Sequence, residues 1–325
     1  MALKTLRCVL LTAGAGAMLV VMAAVMPAAA TSASSGQGYT WTTIDVPGSY
    51  TTVPITINDH GVVVGKYYAN SSDWKNGVSR GFIKQGRKYT TIDDPLGAKS
   101  VVMGMNDHGE IVGAYWLNNG DNYGFMDQGG KFTTIADPYA DNAKGLGTIV
   151  VGVTSSGEIV GDYIDSNSTN HVFVYKNGSY TTITCPRAGT GPNSSTGDAG
   201  TIVGFVDSAG AMSGYCAFKT SRFYNFIYQN SRFNRVPNYP GSSSTWISWV
   251  TDSGESGGAY YTTPTAAENG PAYGYIYKNG QFTAIKDPLG PYGIYLDGAN
   301  DSGAIVGFYG DSSNLIHGFE LTPSH

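Results

Sequence analysis

Short apolar runs alternate along this chain with polar clusters of Gly, Asn, Asp and Ser, and the alternation recurs six times. An aromatic residue followed by a β-branched run stands at Trp41-Thr-Thr-Ile-Asp45, Tyr89-Thr-Thr-Ile-Asp93, Phe132-Thr-Thr-Ile-Ala136, Tyr180-Thr-Thr-Ile-Thr184, Phe233-Asn-Arg-Val-Pro237 and Phe282-Thr-Ala-Ile-Lys286, at spacings of 48, 43, 48, 53 and 49 residues. A turn glycine at 61, 109, 157, 210, 254 and 303 keeps nearly the same rhythm. Two markers agreeing over six copies identify a structural repeat.

Each copy predicts four short strands, A to D: a run such as Val101-Val-Met-Gly-Met105, then Ile111-Val-Gly-Ala-Tyr115, then Tyr123-Gly-Phe125, then the Tyr/Phe-Thr-Thr-Ile strand. Tight turns such as Asn106-Asp-His-Gly109 join A to B, and Asn-Gly at 177–178 and 279–280 signals two-residue C to D hairpins. No stretch sustains a 3.6-residue apolar period, so almost no helix is expected. Four antiparallel strands recurring at this spacing predict an all-β fold, a six-bladed β-propeller of four-stranded blades. The chain opens on a D-type strand at Trp41 and stops after a C-type strand at His317-Gly-Phe-Glu-Leu321, so the N-terminal strand is expected to complete the last blade and leave no free edge there. An open β-solenoid is the alternative architecture.

The first thirty residues stand apart. Lys4 and Arg7 precede an uncharged apolar stretch from Val9 to Met26, and Ala28-Ala29-Ala30 offers a small-residue cleavage site, which predicts a signal peptide over 1–30. An uncleaved anchor is the competing reading, since about 18 apolar residues approach a bilayer span. Residues 31–38 then read as a flexible linker and 39–325 as one six-repeat domain. Cleavage takes two of the 19 basic residues and none of the 24 acidic ones, moving the net charge from −5 to −7. A mildly acidic chain without basic clusters argues against nucleic acid and, once the signal is cleaved, against membrane binding. A secreted, periplasmic or cell-surface monomer is expected.

Six internal copies allow comparison column by column. The residue four after the turn glycine is Gly65, Gly113, Gly161, Gly214, Gly258 or Gly307, which implies a backbone or ring lying close against strand B. Two residues further stand Tyr67, Tyr115, Tyr163, Tyr260 and Tyr309, with Cys216 in the fourth copy; the column before the loop proline holds Asp94, Asp137 and Asp287, with Cys185 in the fourth. These paired exceptions predict hydrogen bonds between adjacent blades from Asp94 to Tyr115, Asp137 to Tyr163 and Asp287 to Tyr309, replaced once by a Cys185–Cys216 disulfide. Cys8 leaves with the signal, so the pair is even and in an oxidising compartment. The strand C column, Phe82, Phe125, Phe173, Phe226, Tyr275 and Phe319, reads as core between blades.

The motif Asn-Asp-x-Gly-x-Ile-Val-Gly-x-Tyr, followed by His-Gly-Phe and Phe-Thr-x-Ile-x-x-Pro, resembles the HAF-type extracellular repeat proteins of bacteria. The resemblance spans 39–325, is clearest at 100–135 and 300–319, and is weakest in the fourth and fifth copies; His-x-Phe itself survives at His171 and His317. It implies a secreted repeat protein and assigns no chemistry.

Catalytic signals are sparse. Gly254-Glu-Ser256-Gly-Gly258 has the nucleophile-elbow spelling but aligns with a β-hairpin rather than a strand-to-helix turn. His60 and His108 fall in the variable slot of the A to B turn, and His171 and His317 begin strand C, with no zinc or triad spacing. No cofactor is expected; Asn118-Asn-Gly-Asp121-Asn and Asp165-Ser-Asn167-Ser-Thr offer oxygen ligands to Ca²⁺ without a complete calcium-loop pattern. The B to C and D to A loops vary in length and share one face, where binding tends to sit on a rigid scaffold. They carry Tyr68, Trp74, Trp116, Tyr139, Tyr261 and Tyr292 among neutral polar residues, a set suited to a sugar or to a protein surface. The leading expectation is therefore a non-catalytic module binding an extracellular glycan or protein. A structural, envelope-associated repeat is the second reading, and a glycosidase or lyase the third. A glycosidase needs two carboxylates facing each other, for which the loop residues Asp73, Asp121, Asp141 and Glu268 are the candidates.

Overall fold

The computed structural model describes residues 32–35, 38–92, 97–141, 146–193, 197–218, 223–262, 271–286, 293–313 and 315–324. The first thirty residues, with the expected signal, lie outside this set, as do Asp94, Glu268, Asp287 and Tyr292. The chain is all-β. Its N-terminal strands are β1 (Ser32–Ser35) and β2 (Tyr39–Ile44). Five antiparallel four-strand meanders and one of three strands, units 1 to 6, account for nearly all the rest. Unit 1 holds β3 (Thr51–Ile57), β4 (Val63–Tyr68), β5 (Arg80–Gln85) and β6 (Lys88–Ile92). Unit 2 holds β7 (Lys99–Met105) to β10 (Lys131–Ile135), with β8 (Glu110–Trp116) and β9 (Asn122–Gln128) between. Unit 3 holds β11 (Thr148–Val153), β12 (Ile159–Ile164), β13 (Thr169–Lys176) and β14 (Ser179–Ile183).

After the two-residue β15 (Pro192–Asn193), unit 4 holds β16 (Gly197–Val206), β17 (Met212–Ala217), β18 (Phe223–Gln229) and β19 (Arg232–Val236). Unit 5 holds β20 (Ser244–Val250), β21 (Ser256–Tyr261), β22 (Tyr273–Lys278) and β23 (Gln281–Ile285). Unit 6 has only three strands of its own, β24 (Ile294–Ala299), β25 (Ile305–Gly310) and β26 (Ile316–Pro323), and β2 pairs antiparallel with β26 to supply the fourth. Ser32–Ser35, expected as linker, add a further strand outside β2, in register Ser32 to Thr42. The one helix among the described residues is α1 (Ser71–Asn76), in the B to C loop of unit 1, capped by Asn70 at its start and by Gly77 at its end.

Local chemistry explains the hairpins. All six A to B turn glycines adopt positive φ, from 71° at Gly61 to 93° at Gly210, and both residues of Asn177-Gly178 and Asn279-Gly280 do the same, as type I′ turns require. On strand B, a Cβ at Gly113 would meet the carbonyl of Val101 and lie 2.9 Å from the Phe125 ring, so the glycine column admits the strand C aromatics. Those aromatics are buried, Phe82, Phe125, Phe173, Tyr275 and Phe319 completely.

The units touch in sequence through their A to B turns. Asn58 Nδ2 donates to the Asn106 carbonyl at 3.3 Å, and Asn106 Nδ2 to that of Thr154 at 2.9 Å. The Ser155 N–H donates to Ser208 O and the Asp252 N–H to Asp301 Oδ1, while units 4 and 5 are joined instead from strand to strand, Asn225 Nδ2 on β18 donating to the Thr245 carbonyl on β20. Asn300 Nδ2 then donates to the Asn58 carbonyl at 2.9 Å, bringing the sixth unit against the first, where Lys84 and Glu320 also form an ion pair at 3.4 Å.

Cys185 and Cys216 form the expected disulfide, joining units 3 and 4 across a Cα separation of 6.2 Å. The tyrosine column corrects one expectation. Tyr163 makes no hydrogen bond to Asp137: its ring stacks on His171 and its hydroxyl lies 3.4 Å from Thr182 Oγ1, on the D strand of its own unit. Tyr67 and Tyr115 make the same contact with Thr91 and Thr134 at 2.9 and 3.0 Å. Asp137 instead caps its own loop, Oδ1 accepting the Tyr139 N–H at 2.9 Å. The expected contacts of Asp94 and Asp287 lie outside the described residues.

Candidate functional site

Every A strand carries a β-bulge at the same place. In unit 1 the register steps from Pro54–Gly65 to Thr56–Val64, leaving Ile55 unpaired. The corresponding unpaired residues are Met103, Val151, Gly204, Ser248 and Asp297. A bulge re-aims the extra side chain, and all six of these residues line one central cavity of about 170 Å³. The residues two positions earlier, Val53, Val101, Ile149, Ile202, Trp246 and Tyr295, line it as well. Strand B contributes the residue after the glycine column, among them Lys66, Asp162, Tyr215 and Phe308. All six units therefore build one cavity from columns that vary between copies.

The cavity lies toward the B to C loops, since Trp74 of α1, Trp116 at the end of β8 and Ile316 at the start of β26 also line it. At the opposite end the A to B turns leave a void of only about 40 Å³. Three of the five tryptophans, Trp74, Trp116 and Trp246, thus share one wall space. Their planes are braced. Tyr68 packs edge-on against Trp74 with centroids 4.9 Å apart, and Phe223 stacks on Trp246 at 4.5 Å. Lys99 Nζ stands 5.4 Å from the Trp116 ring centre. The Tyr261 and Tyr295 hydroxyls lie 2.6 Å apart, while Tyr295 stacks on Phe308 at 4.6 Å.

Three charged groups stand in this apolar lining. Lys66 is 5% exposed, and burial pushes its ammonium down to about 8 against the opposing pull of the Asp297 carboxylate. Asp162 accepts the Val203 N–H at 3.0 Å. Burial also pushes the Tyr295 hydroxyl up to about 12. Half-buried Trp74, Trp246, Asp162 and Asp297 keep the cavity in contact with solvent.

The loop aromatics separate into three groups. Trp74 and Trp116 meet in the cavity. Tyr68 and Tyr261, 1% and 0% exposed, stand behind the lining as supports rather than as platforms. Tyr139 is 70% exposed on the D to A loop after β10, away from the cavity.

Of the loop carboxylates, none of the described three lines the cavity. Asp73 occupies the first turn of α1, its N–H donating to Asn70 Oδ1; Asp121 Oδ2 accepts from Asn119 at 2.8 Å; the Asp141 N–H donates to Ile164 O. In the second polar loop, Asp165 Oδ1 accepts from the Asn167 and Thr169 N–H groups and Oδ2 faces His171 at 3.3 Å. Among the described residues no group of three His, Cys, Asp or Glu is placed to hold a metal ion. Lys66, Asp162, Trp246, Tyr295 and Asp297 escaped the sequence reading, although variation within a repeat column marks each of them.

No protein-family model matches the chain, and no curated protein matches it. Solved structures do. AofleA from Arthrobotrys oligospora is similar over 83% of this chain and 82% of its own, with 10% identity and a TM-score of 0.51. The fucose-specific lectin from Aleuria aurantia is similar over 86% and 98%, with 14% identity and a TM-score of 0.48. The β-propeller domain of the trilobed protease from Pyrococcus furiosus is similar over 89% of each chain, with 10% identity and a TM-score of 0.48. At 10% identity the likeness to AofleA is one of fold.

Proposed function

We propose that this chain is a secreted six-bladed β-propeller, closed by its N-terminal strand, that binds a sugar unit of an extracellular glycan in its central cavity without transforming it. The four-strand units, the β2–β26 pairing and the Asn300 to Asn58 contact support the ring. The disulfide and the resemblance to HAF-type repeat proteins support an extracellular setting.

The observation that carries the binding reading is the convergence of Trp74, Trp116 and Trp246 on one cavity that also holds Lys66, Asp162 and Asp297. Indole faces suit the apolar face of a pyranose, and a few fixed polar groups orient its hydroxyls. The cavity is smaller than the roughly 300–1,000 Å³ of a drug-sized site, so one ring rather than a chain is the fitting occupant.

A glycan array on the mature protein, followed by tryptophan-fluorescence titration of each hit, tests this. Binding should quench emission, and Trp116→Ala should weaken it at least tenfold with the fold retained by circular dichroism. An array with no hit, or hits indifferent to Trp116, would overturn the reading in favour of a protein partner or a purely structural role.

A further inference from the structure

We propose that Lys66 is a carbonyl-capturing amine: the cavity holds its side chain so that it forms a reversible imine with the open-chain aldehyde of a small reducing sugar. The choice of an aldose rests on the saccharide reading above; the covalent step goes beyond it. Among the described residues Lys66 is the one lysine lining the cavity, placed by the β4 register between Gly65 and Tyr67. The cavity wall around it is built mainly from apolar residues, Val53, Ile55 and Val101 among them, so its ammonium is poorly solvated. Desolvation of this kind keeps a fraction of a lysine neutral, and hence nucleophilic, near neutral pH.

The titratable groups that share the cavity with it are Asp297 on β24, Asp162 on β12, and the Tyr215 and Tyr295 hydroxyls. Asp297 is the carboxylate whose charge Lys66 feels most strongly. The step balances without any oxidant: the neutral Nζ adds to the aldehyde carbon to give a carbinolamine, one proton moves from nitrogen to the departing oxygen through Asp297 or solvent, and water leaves. Burial in the fold supplies the nucleophile and Asp297 a proton relay beside it. Neither Lys75 nor Lys88, both exposed, has such surroundings.

The full mature chain is incubated with D-glyceraldehyde and sodium cyanoborohydride at pH 7, and modified lysines are counted by peptide mass spectrometry. Lys66 should be labelled at least tenfold faster than Lys75 and Lys88, with a rate that reaches half its maximum near pH 8. Lys66→Arg, which keeps the positive charge beside Asp297, should abolish this label, while the fluorescence response of the parent protein to a non-reducing methyl glycoside, which cannot form an imine, reports the saccharide reading separately. Labelling of Lys66 no faster than of the exposed lysines overturns the inference and leaves the saccharide reading standing. Labelling of Lys66 with no saccharide response in any variant supports the amine and overturns the saccharide reading.

Discussion

The Nδ1 atom of His317 lies 2.8 Å from Asp45 Oδ2, joining the first residue after β2 to the strand that β2 completes. The Asp311 carboxylate stands at the other ring nitrogen, 3.4 Å away. The hydrogen bond to Asp45 raises the imidazole above its usual 6.5, outweighing burial, which opposes it. A raised histidine stabilises the native chain fully below the unfolded value near 6.5, and that contribution is lost as pH climbs through the higher native value. Thermal unfolding from pH 5.5 to 9 should show a decline above pH 6.5 that His317→Gln makes shallower. The expected effect is about 1 kcal/mol for this partly exposed pair.

The Cys185–Cys216 bridge closes a loop with a sequence separation of 31 residues, which the chain-entropy account values at about 3.7 kcal/mol. Cys185→Ser/Cys216→Ser should lower the denaturant midpoint accordingly. Reductant should shift the parent protein by the same amount and leave the double variant unmoved.

The repeat was legible because its turns need particular residues: positive-φ glycines at the A to B corners and Asn-Gly at the C to D hairpins leave a mark in every copy. The disulfide was legible as two exceptions in columns that meet across units. The cavity was not, for the opposite reason. Lys66, Asp162 and Tyr215 share one column with nothing in common, and the bulge that aims Ile55 and Asp297 inward breaks the two-residue period by which strand faces are read. Tyr163 was misassigned because its ring spans the neighbouring β13 and its hydroxyl finds Thr182 within its own unit instead of Asp137 in the preceding one.

Asp207 is buried at the narrow end of the axis, and burial, reinforced by the Asp252 carboxylate, pushes its carboxyl from 3.8 up to about 8. Between those values the native chain holds a proton that the unfolded chain has released, so this group makes stability fall as pH rises from about 4 to 8. Asp207→Asn keeps the acceptor for the Ala211 N–H, a 2.6 Å bond, and removes the charge. Its melting temperature at pH 8 should exceed that of the parent by a few degrees, on the order of 1–2 kcal/mol, and the gap should close by pH 4.

Asn300 and Asn106 perform the same task at different sequence separations. Asn106 Nδ2 reaches Thr154, 48 residues on, whereas Asn300 Nδ2 reaches Asn58 across 242 residues. Both side chains are buried, and truncating either removes one of the two hydrogen bonds to a turn carbonyl and leaves an N–H that its Oδ1 accepts, Ala304 for Asn300 and Glu110 for Asn106, without that partner, at a cost of about 1–3 kcal/mol. If the six units form one closed ring, Asn300→Ala and Asn106→Ala should destabilise by similar amounts and retain a single cooperative unfolding transition. In an open array the contact at Asn300 would hold only two chain ends together. Its loss would then separate the melting of units 1 and 6 from that of the middle. Differential scanning calorimetry with hydrogen exchange at β3 and β25 distinguishes the two, because a ring protects both strands to the same free energy as the middle units.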